Sequence, residues 1–109
     1  MTVVQSQSKQ PASVSNIAVG RYHTTATAAA FKITTGFQPR YVKVQNEGSF
    51  ASEEWYEGMT ADYSIKKMAT GTASMPTSLG ITVAADGFTV GLDTDINIID
   101  EQLAWIAIG

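Results

Sequence analysis

The chain has 109 residues, which fits one domain. It has no cysteine, so a disulfide framework, a thiolate nucleophile and a thiolate zinc ligand are all excluded. Charged residues make up only 16%, below the ~25% usual for soluble domains. The net charge of −3 argues against nucleic acid as a partner, where a basic stripe supplies most of the affinity.

Residues 1–15 read as an extended N-terminal arm. The stretch Gln5-Ser6-Gln7-Ser8-Lys9-Gln10-Pro11-Ala12-Ser13 is polar and cannot bury enough apolar surface to order itself alone. The first six residues lack a basic segment and a long apolar run, so no signal peptide is expected. No run approaches the ~18 apolar residues of a membrane span. These features predict a soluble protein made in the cytoplasm, with no membrane partner.

From Asn16 onward, short segments alternate apolar and polar residues, the mark of half-buried strands. Ile17, Val19 and Arg21 share one face of the first. Thr24–Ala30 contains four alanines, but its seven residues include three threonines and no apolar stripe. A helix that short is marginal, so a strand or loop is expected there. Phe31 alternates with Ile33 around Lys32. Val42 and Val44 alternate with Tyr41, Lys43 and Gln45. Ile81 and Val83 flank Thr82, and Phe88 and Val90 flank Thr89. Ala104-Trp105-Ile106-Ala107-Ile108 closes the chain as an apolar strand.

Gly36, Pro39, Asn46, Gly48, Gly58, Gly71, Pro76, Gly80, Gly87 and Gly91 punctuate these runs. Asp86-Gly87 is the clearest turn signal, because both residues tolerate the positive φ of a two-residue hairpin loop. It predicts a hairpin with arms Leu79–Ala84 and Phe88–Leu92. Short strands with frequent turns predict an all-β, single-domain antiparallel β-sandwich or barrel over residues 16–109.

Few residues invite chemistry. His23 is the only histidine, and with no cysteine it cannot complete a zinc site of the usual type. Glu53, Glu54 and Glu57 bracket Trp55 and Tyr56, a pairing of carboxylates and aromatics that suits sugars. In a strand, Glu53, Trp55 and Glu57 share one face. A chain this short offers little depth for a cleft, which leaves a carbohydrate-binding surface or a solvated strand with an aromatic anchor. Asp93-Thr94-Asp95-Ile96-Asn97 copies the start of a calcium loop, but Ile98 stands where that loop needs glycine and Ala104 where it needs glutamate. Lys66-Lys67 reads as a solvated strand edge, and Met59, Met68 and Met75 as gap-filling core. No phosphate-cradling glycine loop is present. The expectation is a protein without catalytic residues, cofactor or metal.

Several stretches resemble small virion structural proteins of tailed bacteriophages. They are Gly36-Phe37-Gln38-Pro39-Arg40-Tyr41-Val42-Lys43-Val44, then Trp55 and Gly58-Met59, then Gly80-Ile81-Thr82-Val83. Gly87-Phe88-Thr89-Val90-Gly91 and Ala104-Trp105-Ile106-Ala107 complete the pattern, which spans roughly residues 30–109. The resemblance implies a β-sandwich or jelly-roll-like subunit, usually a homotrimer, that sits outside a capsid as a decoration or cement protein. Its implied partners are the major capsid protein and further copies of itself, and its implied location is the virion surface. A tail or fibre component and a carbohydrate-binding adhesion module are the alternatives. Buried aromatics dominate the energy of protein interfaces, so Tyr41, Phe50, Trp55 and Tyr56 are the candidate interface anchors.

Overall fold

The computed structural model describes residues 16–25 and 28–109. The expected arm, residues 1–15, lies outside the described residues, as do Ala26 and Thr27 in the alanine-rich stretch. Among the described residues there are nine strands and no helix. The strands are β1 (Ile17–Tyr22), β2 (Phe31–Thr34), β3 (Tyr41–Asn46), β4 (Ser52–Tyr56) and β5 (Ile65–Lys67), then β6 (Ala73–Ser74), β7 (Ile81–Ala84), β8 (Gly87–Val90) and β9 (Leu103–Ile108). They form two antiparallel sheets, one of six strands in the order β1-β9-β3-β4-β5-β6 and one of three in the order β2-β8-β7. The fold is therefore the antiparallel all-β architecture that the alternation predicts.

The register decides which side chains meet, because residues opposite each other in an antiparallel pair point to the same side of the sheet. Val42 lies opposite Ala107 and Trp55, and Val44 opposite Trp105 and Glu53. These side chains face the small sheet, which contributes Ile33, Ile81, Phe88 and Val90 to one shared core. Phe88 meets Trp105 edge-on across the two sheets, with ring centroids 5.4 Å apart. The Trp105 indole lies over Gly20 on the neighbouring strand, where a Cβ would stand only 2.6 Å from the ring. That glycine is what admits a tryptophan to the row.

The β7–β8 hairpin differs from the expected turn by one residue. Ala84 pairs with Gly87, so the loop is Ala85-Asp86 and Gly87 is the first residue of β8. Gly87 is needed for proximity, not for turn conformation: a Cβ there would fall on the Ile33 carbonyl oxygen of β2. The Asp86 carbonyl accepts from the amides of Thr35 and Gly36 at 2.9 and 3.0 Å, which ties the loop to the end of β2. Its carboxylate pairs with Lys32 Nζ at 3.0 Å.

The β3–β4 hairpin is organised by buried Asn46. Its Oδ1 accepts from the amides of Gly48 and Ser49 at 2.7 and 2.9 Å, and its Nδ2 donates to the Ile96 carbonyl at 2.7 Å. A buried amide satisfied on both sides fixes the turn to the 93–97 segment, since leaving either end unpaired costs about 1–3 kcal/mol.

Candidate functional site: the open face of the large sheet

Three strands cannot cover six on both sides, and the outer face of the large sheet has no layer over it among the described residues. The register lays its side chains in rows. Ile17, Ile108, Tyr41 and Tyr56 form one across β1, β9, β3 and β4. Val19, Ile106, Lys43 and Glu54 form the next, and Arg21, Ala104, Gln45 and Ser52 the third. Val19 is 70% exposed and Ile17 59%. Ile106 and the small Ala104 line a shallow groove with Lys43 and Gln45. Isolated exposed hydrophobics are ordinary, but a contiguous apolar patch marks an interaction surface.

The tyrosines, Glu54 and Arg21 on this face are already partnered. Tyr41 and Tyr56 stack at a tilt with centroids 5.0 Å apart, and both hydroxyls donate to Glu54 Oε2, at 2.7 and 3.3 Å. Burial and then the Glu54 carboxylate hold the Tyr41 phenol well above its usual range. The Glu54 charge also raises the pKa of Tyr56. Both phenols therefore stay protonated donors, and the carboxylate they share loses less on desolvation than a bare one would. Arg21 is bound by Glu47 at 2.8 and 2.9 Å.

The aromatic anchors expected from the sequence separate in space. Tyr41 and Tyr56 stand together on the open face. Phe50 sits at the tip of the β3–β4 hairpin, 66% exposed and at φ 63°. A bulky aromatic in that left-handed region costs about 1–3 kcal/mol, and such strain persists where surroundings impose it. The Asn46 network supplies the constraint: Phe50 N donates to Asn46 O at 3.1 Å, and Ser49 Oγ to Asp95 O at 2.8 Å. Trp55 points inward instead. It is 8% exposed and packs in the core, with its Nε1 donating to the Thr60 carbonyl at 3.4 Å.

Sequence reasoning passed over Ile17 and Val19 as interface residues and read the last strand, with Ile106 and Ile108, as either core or an oligomer contact. The signal was present in β9, whose five-residue run Ala104–Ile108 is apolar at both alternations. A strand apolar on both sides reads as one meant to be covered on both sides.

Some of the groups that suggested chemistry, Glu53 and Asp93 among them, are drawn into the inner face. Glu53 and Glu54 open on opposite sides of the sheet, so these two carboxylates do not converge on one bond. Lys66 is no solvated edge residue: its Nζ donates to both Asp93 oxygens at 2.9 and 3.0 Å and to Asp95 Oδ2 at 2.7 Å, largely out of solvent. Burial pulls the Lys66 pKa down, but the hydrogen bonds to Asp95 and Asp93 together outweigh it and raise it. The two aspartates that mimic a calcium loop thus share one ammonium, and Asp93 Oδ1 also caps the Asp95 amide at 2.8 Å. Among the described residues no group of three histidines or carboxylates is placed to hold a metal ion.

Glu53 lies beside this triad, opposite Lys66 in the β4–β5 register. It is 0% exposed, and neither carboxylate oxygen has a hydrogen-bond partner. Burial, reinforced by Asp93 and opposed by Lys66, pushes its pKa up to about 8. His23 is exposed, Met59 and Met68 pack against the core, and Met75 is exposed.

No family model, curated protein or solved structure matches the chain.

Proposed function

We propose that this protein is a structural subunit, not an enzyme, and that it docks the open face of its six-stranded sheet onto other protein. The observation that carries the reading is the row Ile17-Ile108-Tyr41-Tyr56 with Val19 and Ile106 beside it, apolar and uncovered. Aromatics flanked by aliphatics, with their polar groups already satisfied, are the composition of an interface core. In the form that the resemblance to phage virion proteins implies, the partner is the major capsid protein. The chain then decorates the outer surface of the head and cements neighbouring capsid subunits.

Cosedimentation with emptied heads of the parent phage tests this. The expected result is saturable binding that falls at least ten-fold in a Tyr41→Asp, Tyr56→Asp double variant whose β spectrum is unchanged. A protein with no affinity for heads sinks the decoration reading, and undiminished binding by the folded double variant sinks the role of the face.

A further inference from the structure

The two edges of the large sheet are unlike. β6 ends one side with two residues, Ala73–Ser74, too short to recruit another strand. β1 ends the other with six, Ile17–Tyr22, and no strand among the described residues lies on its outer side. Alternate residues of such an edge turn N–H and C=O groups outward, unpaired. Natural edges are usually blunted by proline, lysine, a bulge or an inward charge, and β1 has none of these.

We propose that β1 is a homodimer contact, pairing antiparallel with β1 of a second copy about a twofold axis at Val19, so that two six-stranded sheets become one. The pleat restricts the register. Opposed residues must point the same way, and on β1 the odd-numbered residues face outward. A symmetric pair must therefore centre on a residue, not between two. Centring on Val19 places the two Val19 side chains together and sets Ile17 opposite Arg21 of the partner subunit. On the inner side Ala18 meets Gly20 of the partner subunit, both small enough to let the backbones close.

Charge rules against one of the alternative registers. Arg21 is the one ionisable residue on the outer side of β1, and centring on it would oppose two like charges. Centring on Val19 keeps the two guanidiniums roughly 13 Å apart along the strands, each already bound to its own Glu47. Centring on Gly20 would put no side chain at the axis and leave Ile17 unpaired. The contact is isologous, so it closes at two chains. That differs from the threefold assembly the resemblance implies. It does not depend on the capsid reading, because it uses the edge of the sheet and can hold whether or not heads are bound.

The chain's lack of cysteine gives a clean test. Val19→Cys and Ile17→Cys variants of the full chain are oxidised and resolved on non-reducing gels, beside light scattering of the parent and of Val19→Lys. Opposed Cβ atoms about 4.5–5.5 Å apart can close a disulfide with a small shift, whereas the two Ile17 positions would lie roughly 13 Å apart. The expected result is a two-chain mass for the parent, a one-chain mass for Val19→Lys, and at least ten-fold more linked dimer from Val19→Cys than from Ile17→Cys. A one-chain parent overturns the proposal, as it would if residues 1–15 folded back over the edge. A three-chain parent overturns the twofold, and equal linking of both variants overturns the register.

Discussion

The two faces of the six-stranded sheet are made from the same strands and carry inverted chemistry. The inner face holds a carboxylate with no hydrogen-bond partner and an ammonium clamped between two aspartates. The outer face exposes isoleucine, valine and tyrosine. Residue type alone would place these the other way round. Lys66 goes inward because the 93–95 turn comes to meet it, and a buried charge with close partners is tolerated where a lone one is not. Val19 stays outside because the pleat of β1 points it away from the small sheet, whose Phe31 stacks instead on Tyr22 from the inner face.

The largest expected effect is on the inner face. Phe88→Ala removes the ring that bridges the sheets against Trp105 and should cost about 3–5 kcal/mol in chemical denaturation. Lys66→Met should come next, at about 3–5 kcal/mol, because it strands Asp93 without a counter-charge. Adding Asp93→Asn to Lys66→Met should recover part of that loss. A double variant no more stable than Lys66→Met would show that the packing of the lysine stem, not its charge, is what matters.

Glu53 sharpens the comparison through pH. Its folded pKa of about 8 stands above the ordinary 4.5, so the native state keeps a proton that the unfolded chain has released. Stability should therefore be flat below about pH 4.5, fall as pH rises towards 8, and level off beyond. The loss is about 5 kcal/mol across that window. Glu53→Gln should flatten this slope and be more stable than the parent at pH 9. Unchanged melting temperatures of the parent between pH 5 and pH 9 would remove the buried-acid account.

The smallest effects belong to the outer face. Val19→Ser and Ile106→Ser should each change the stability of the single chain by no more than ~0.5 kcal/mol. Val44→Ser, on the opposite face of the same sheet, should cost several-fold more. Comparable losses at all three positions would mean that the outer face is covered.

Legibility in the sequence followed how local the deciding interaction was. β3 and β9 were plain because alternation in β3 and an unbroken apolar run in β9 are contained within six residues each. β5 and β6 were not, since three- and two-residue strands have no pattern of their own and exist only by pairing with β4 and with each other. The hairpin at Asp86-Gly87 was found but shifted by one, because Gly87 answers to the Ile33 carbonyl of a distant strand and not to the loop. Of the four aromatics singled out, Tyr41 and Tyr56 lie on the open face and Phe50 at a hairpin tip, while Trp55 is core. The parity of β4 separates Tyr56 from Trp55, but parity does not say which side is inside.

Composition and periodicity by themselves determined that this chain builds antiparallel sheets without cysteine chemistry, since both depend on residues next to one another. Which face the small sheet covers, where Lys66 finds its aspartates and why β1 is left as an open edge were decided only in three dimensions. Each depends on segments tens of residues apart arriving at the same place, and pairwise burial and charge satisfaction have no value until they do.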